Sequence, residues 1–175
     1  KKKRYLSKNN MNFKRIDLIS KAFPNSVFLI PFREPLQHSF SLLSSHNHFV
    51  KLQKRDNFIL DYMNYLGHFE FGIGHRYWFK PKNFNNKIDI NYWLEQWLLV
   101  YKEILDNYRN HPNCIFLKYE NLKNSKYVED MMFKLEVSNK YLNNFDPNIM
   151  NISIDYDKDL YAKCSLVYED LSKLI

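Results

Sequence analysis

The apolar positions of this chain repeat with two periods, and the two alternate along its length. MNFKRIDLISKA, residues 11–22, places Ile16, Ile19 and Phe23 at helical spacing, and FPN closes that helix. SVFLIPF, residues 26–32, is a short continuous apolar run, typical of a strand buried on both faces. Pro35 then suits the first turn of a helix, where its missing N–H costs nothing. Leu36, Phe40 and Leu43 give that helix an apolar stripe, while Gln37, Ser41, Ser45 and His48 fall on a polar flank. A second helix over about 57–66 stops at Gly67, a residue suited to a left-handed cap, and GHFEFGIGHRYWFKPKN reads as a loop. Asp89 caps a long helix in which Ile90, Trp93, Trp97, Val100, Tyr101, Ile104 and Tyr108 keep the 3.6-residue period. CIFLKYE is a second short buried strand, followed by a helix over about 125–136. A last helix over about 158–174 aligns Leu160, Cys164, Val167, Leu171 and Leu174.

Strands interleaved with helices predict an α/β fold with a parallel sheet covered on both faces. Ligands of such sheets bind at the carboxyl ends of the strands, where Arg33 and the Tyr119-Glu120 pair stand. No repeat or linker interrupts residues 1–175, so a single domain is expected.

Composition changes this picture in a few places. A chain of 175 residues with 45% hydrophobic content packs a core and is not a disordered segment. The three glycines are Gly67, Gly72 and Gly74, so no glycine-rich phosphate loop exists in this sequence. The formal charge of +7 suits nucleic acid, an anionic membrane surface or a polyanionic small ligand, although the opening KKKR holds four of the positive charges. A nucleic-acid partner is not expected, because the aromatics fall mostly on helical core faces and do not interleave with basic residues. Cys114 and Cys164 are 50 positions apart in no metal-like spacing, and Cys114 reads as a small core residue. Without a disulfide framework, a membrane-length apolar run or a secretory leader, the expected setting is cytoplasmic with no integral membrane segment.

The chemistry concentrates in PFREPLQHSFSLLSSH, residues 31–46. An arginine just beyond a strand can fork two N–H groups onto a phosphate, and the helix start behind it adds unpaired N–H groups. Ser41 supplies a neutral donor if its flank faces the strand tip. The same residues also allow Arg33 to pair with Glu34 or Glu120 while the serines face water. Spacing leaves both open.

FPNSVFLIPFREPLQHSFSLLSSH resembles the 3′-phosphate-binding segment of the sulfotransferase superfamily: a strand, Arg-x-Pro, then Ser eight residues after the Arg. Arg33, Pro35 and Ser41 match it, and His46 fits its looser tail. SKNNMNFKRIDLI is similar to the family's lysine segment and following helix, with Lys8 at the lysine position. IFLKYENLKNS is similar to the strand ending in Tyr-Glu-Asp/Asn-Leu, with Tyr119 at the tyrosine position. YWLEQWLLVYKEIL resembles the aromatic helix of bacterial members. The likeness runs from residue 5 to about 136 in the right order.

The resemblance implies a P-loop-NTPase-like three-layer sandwich with a central parallel sheet, binding the co-substrate 3′-phosphoadenosine 5′-phosphosulfate without a metal. It implies sulfuryl transfer to a hydroxyl or amine acceptor. Arg33 and Ser41 would hold the 3′-phosphate, Tyr119 would lie near the adenine, and Lys8 would stabilise charge developing on the bridging oxygen. The family's 5′-phosphosulfate loop, resembling Pro-Lys-(Ser/Thr)-Gly-Thr, has no match here. The expectation is therefore an N-terminally incomplete domain, lacking its first strand–loop–helix and holding half of a cofactor site. A non-catalytic nucleotide-binding remnant or scaffold is the alternative.

No base stands out. In cytosolic members a histidine follows the motif lysine by two, and here that position is Asn10. His46 and His48 are expected on the polar flank of their helix. His68 and His75 bracket a glycine-containing loop and are the candidates for lining an acceptor pocket. Trp93 and Trp97 are expected in the core.

Overall fold

The apolar run after Val27 forms strand β1 (Phe28–Phe32) and the run after Asn113 forms β2 (Cys114–Lys118), in a computed structural model that describes residues 5–81, 88–137 and 145–175. The strands pair in parallel, from Phe28 opposite Cys114 to Phe32 opposite Lys118. Parallel neighbours need a long crossover, which three helices supply: α2 (Pro35–Arg55), α3 (Asn57–Leu66) and α4 (Ile90–Tyr108). A short helix α1 (Ile16–Ala22) precedes β1, and α5 (Ser125–Lys134) and α6 (Lys158–Ser172) follow β2. The fold is thus α/β with a two-stranded parallel sheet among the described residues.

Alternation along β1 decides where the core lies. Ile30 and Phe32 point inward with Phe116 of β2, against Leu94, Trp97, Tyr101 and Ile104 of α4 and Cys164 and Leu171 of α6. Burying a side chain of this size is worth about 1.5–3 kcal/mol. Trp93 and Trp97 are both enclosed, as expected of core residues. The intervening positions behave differently: Leu29 is 40% exposed and Pro31 is exposed. The expectation of a strand buried on both faces is corrected here, for β1 buries one face only. Pro31 fits such an edge because it has no N–H to leave unpaired, and its carbonyl accepts from the Tyr101 hydroxyl at 2.7 Å.

Helix ends follow local chemistry. Asp89 Oδ1 accepts from the N–H groups of Asn91 and Tyr92, and Gly67 ends α3 in the left-handed region at φ 69°. The first helix departs from expectation. Residues Asn10–Arg15 form a 3₁₀ turn capped by Asn9, α1 begins only at Ile16, and Phe23 leaves helical geometry and is exposed.

Helix α2 departs further. Its fully buried positions are Pro35, Ser39, His46 and Gln53, while Leu36, Phe40 and Leu43 are half-buried against the core. The reason is the loop after α3, whose backbone donors need acceptors once they are covered. Gly72 N–H donates to His46 Nδ1 at 3.3 Å, and Ile73 N–H to Gln53 Oε1 at 2.7 Å. Among the described residues, no helix is long and apolar enough to cross a membrane.

Candidate functional site

The sheet register brings Arg33 and Tyr119 together, since each is the first residue beyond the Phe32–Lys118 pair. The Arg33 guanidinium lies over the Tyr119 ring, 4.7 Å from its centre. Glu34 begins α2 as its cap, with Oε2 accepting from Gln37 N–H at 2.7 Å. These residues and Glu120 line a cleft of about 310 Å³, which residues 147–149 and Tyr168 complete.

Two carboxylates beside one guanidinium suggest an ion pair, the ordinary alternative for this corner. None forms: Arg33 makes no ion pair with Glu34, Glu120 or any other described residue. Both carboxylates are already engaged by other donors. Glu34 Oε1 accepts from the Tyr161 hydroxyl at 2.9 Å. Glu120 accepts from Glu34 N–H at 2.9 Å and from the Tyr168 hydroxyl at 3.0 Å. Burial first, then the bonded carboxylate, pushes the Tyr161 hydroxyl upward, so it remains a donor. For Tyr168, burial and then the Glu120 charge act in the same direction.

Arg33 instead donates through Nη2 to Gln37 Oε1 at 3.2 Å and to the Asn148 carbonyl. Its charge reaches His38, whose imidazole is lowered to about 4 by burial first and then by Arg33. A cation without a carboxylate partner, at the carboxyl end of a parallel strand and ahead of a helix start, can hold an anion.

Comparison with protein-family models, curated proteins and solved structures finds no match to this chain. The site therefore rests on its own geometry. Among the residues expected in it, Arg33 and Tyr119 meet. Ser41 stands one turn beyond Gln37 on the same flank of α2, half-buried, and does not line the cleft. Lys8 is exposed in the irregular segment ahead of the 3₁₀ turn and does not line the cleft.

His75 lies elsewhere. It lines a second cleft of about 390 Å³ with Arg76, Tyr77, Ile88 and Tyr92. Its Nδ1 faces the Glu70 carbonyl at 2.7 Å and its Nε2 the Tyr92 hydroxyl at 2.6 Å. The His46 ring packs edge-on against it at 5.3 Å. Contrary to expectation His46 is buried, not set on the polar flank, and burial followed by the neighbouring His75 lowers it to about 4. His75 is also lowered, by burial above all. His68 does not line this cleft: its ring is half exposed and pairs with Glu70 at 3.5 Å. The two clefts share no lining residue.

No group of three or more His, Cys, Asp or Glu among the described residues could hold a metal ion. Burial raises both free thiols, Cys114 to about 11 and Cys164 to about 12, so neither is a ready nucleophile. Reading the sequence passed over Gln37 as a site residue, although it contacts Arg33. Its position four residues after the arginine, across the first turn of a helix, was the available signal. Nothing local pointed to Tyr161, Tyr168 or residues 147–149.

Proposed function

We propose that this chain carries the 3′-phosphate grip of a sulfotransferase-type domain, which transfers a sulfuryl group from 3′-phosphoadenosine 5′-phosphosulfate to a hydroxyl or amine. The observation that carries the reading is Arg33 without an ion pair. It stands beside the start of α2, while the nearby carboxylates accept from Tyr161, Tyr168 and backbone N–H groups.

Arg33 would hold the phosphate by charge-assisted hydrogen bonds, and Tyr119 offers a flat ring beside it for a nucleobase. Ser41 would join only from the next turn of α2. Lys8, exposed and unengaged, is free to serve a sulfuryl group brought near it. The neutral His75 donates through Nδ1 to the Glu70 carbonyl and accepts at Nε2 from the Tyr92 hydroxyl, so in an acceptor pocket a proton would reach it by way of Tyr92. The three-layer sandwich belongs to the same proposal, and the exposed Leu29 and Pro31 leave the sheet room for a further layer.

Titration of 3′-phosphoadenosine 5′-phosphate against wild type, Arg33→Ala and Ser41→Ala tests this reading. Arg33→Ala is expected to bind at least tenfold more weakly, a loss of about 1.5–3 kcal/mol. Ser41→Ala is expected to lose less. Equal binding by wild type and Arg33→Ala removes Arg33 from the site. A nucleotide-binding remnant would bind in this assay but turn over no sulfuryl donor.

A further inference from the structure

One wall of the Arg33 cleft is a later segment of the chain itself. The Asn148 carbonyl accepts from Arg33 Nη2. Two residues on, Met150 is clasped through both of its backbone groups by one side chain. Its N–H donates to Gln37 Oε1 at 2.9 Å, and its carbonyl accepts from Gln37 Nε2 at 2.8 Å. On the other side, the Phe145 ring meets Tyr119 edge-on at 5.5 Å, and Pro147 is buried between these anchors. Asn148 and Ile149 remain exposed. The segment is thus pinned at both ends, with its middle lying on the guanidinium.

A carbonyl oxygen and a phosphate oxygen are both acceptors, and both compete for the same Arg33 N–H. We propose that residues 145–150 form an autoinhibitory strap, which occupies Arg33 in the free protein and must be displaced by the anion of a 3′-phosphorylated nucleotide. This rests on the reading of Arg33 as a phosphate grip. At the guanidinium the exchange favours the phosphate, because the carbonyl oxygen is neutral whereas a phosphate oxygen carries charge and can take two N–H groups at once. The Gln37 clasp and the Phe145–Tyr119 contact oppose it. Apparent affinity then equals the intrinsic affinity multiplied by the fraction of molecules with the strap open. An open fraction of about one in ten weakens binding about tenfold, and loosening an anchor recovers that factor.

The test combines calorimetric titration of 3′-phosphoadenosine 5′-phosphate with amide hydrogen exchange at Met150, on wild type, Phe145→Ala and Gln37→Ala. Phe145→Ala is the deciding variant, since Phe145 has no polar group that could bond Arg33, whereas Gln37 accepts from it. The expected result is faster exchange at the Met150 amide in both variants and at least fivefold tighter binding by Phe145→Ala. If exchange is unchanged in Phe145→Ala, Gln37→Ala decides by the same criterion. If wild type binds and the loosened variant binds no tighter, the strap is overturned while the phosphate grip stands. If neither wild type nor the loosened variants bind, no anion site lies beneath the strap, and both readings fall.

Discussion

At Arg33, availability is set by what the neighbouring carboxylates already hold. Tyr168 shows how much of this arrangement depends on single hydroxyls. Its ring meets Phe32 edge-on at 5.7 Å and lies under the Lys118 ammonium at 4.5 Å, while its hydroxyl donates to Glu120. Tyr168→Phe keeps both ring contacts and deletes only the donor. One lone pair of a part-buried carboxylate then loses its partner, at a cost of about 1–3 kcal/mol. Urea unfolding at pH 7 is expected to show a loss in that range. A midpoint equal to wild type would mean that the hydroxyl does not hold Glu120. Tyr161→Phe makes the matching test at Glu34, whose other oxygen caps α2.

At the level of elements, what could be read in advance is what neighbours in the chain decide. The Asp89 cap, the Gly67 stop and the apolar face of α4 all obey rules spanning a few residues, and all were legible. So was the meeting of Arg33 and Tyr119, because strand ends in a parallel pair converge. The buried side of α2 was not legible: Ser39, His46 and Gln53 look like surface residues until the loop at 72–73 supplies backbone donors for two of them. The clasp of Met150 by Gln37 joins positions 113 residues apart, and no periodicity encodes such a pairing. Two glycines separate these kinds of information by experiment. Gly67 is left-handed with no atom within 4 Å of an added Cβ, so Gly67→Ala should cost about 1–2 kcal/mol of backbone strain alone. At Gly72, φ is 90° and an added Cβ would lie 2.2 Å from Gln53 Oε1, so Gly72→Ala adds a steric conflict to the strain. Gly72→Ala is expected to unfold at distinctly lower denaturant than Gly67→Ala. The reverse order would show that the loop does not seat on Gln53.

For the whole molecule, the sharpest consequence is a dependence on acid, because two imidazoles, His46 buried and His38 partly so, are kept neutral by the fold. His38 packs beside Tyr101 with Nδ1 buried and unpartnered, under the Arg33 charge. His46 lies between His75 and Trp93 and accepts from Gly72 N–H, a bond available only to the unprotonated nitrogen. Both titrate near 4 in the folded protein, against about 6.5 when unfolded. Between these values the unfolded chain binds more protons than the native state, so stability rises with pH across that window. The contribution is complete above pH 6.5, falls away as pH drops towards 4, and changes no further below it. Its size is on the order of 3 kcal/mol per histidine. Unfolding by urea at pH 7, 6, 5 and 4.5 should show the decline, steepest between pH 6 and 4.5. His38→Leu removes a titrating group whose Nδ1 has no partner to lose, and His46→Asn keeps an acceptor for Gly72. Each variant should flatten the pH dependence, whatever it does to stability at pH 7. If the slope of wild type persists in both, other groups govern the acid response, and the neutral imidazoles are not what the interior of α2 is built to protect.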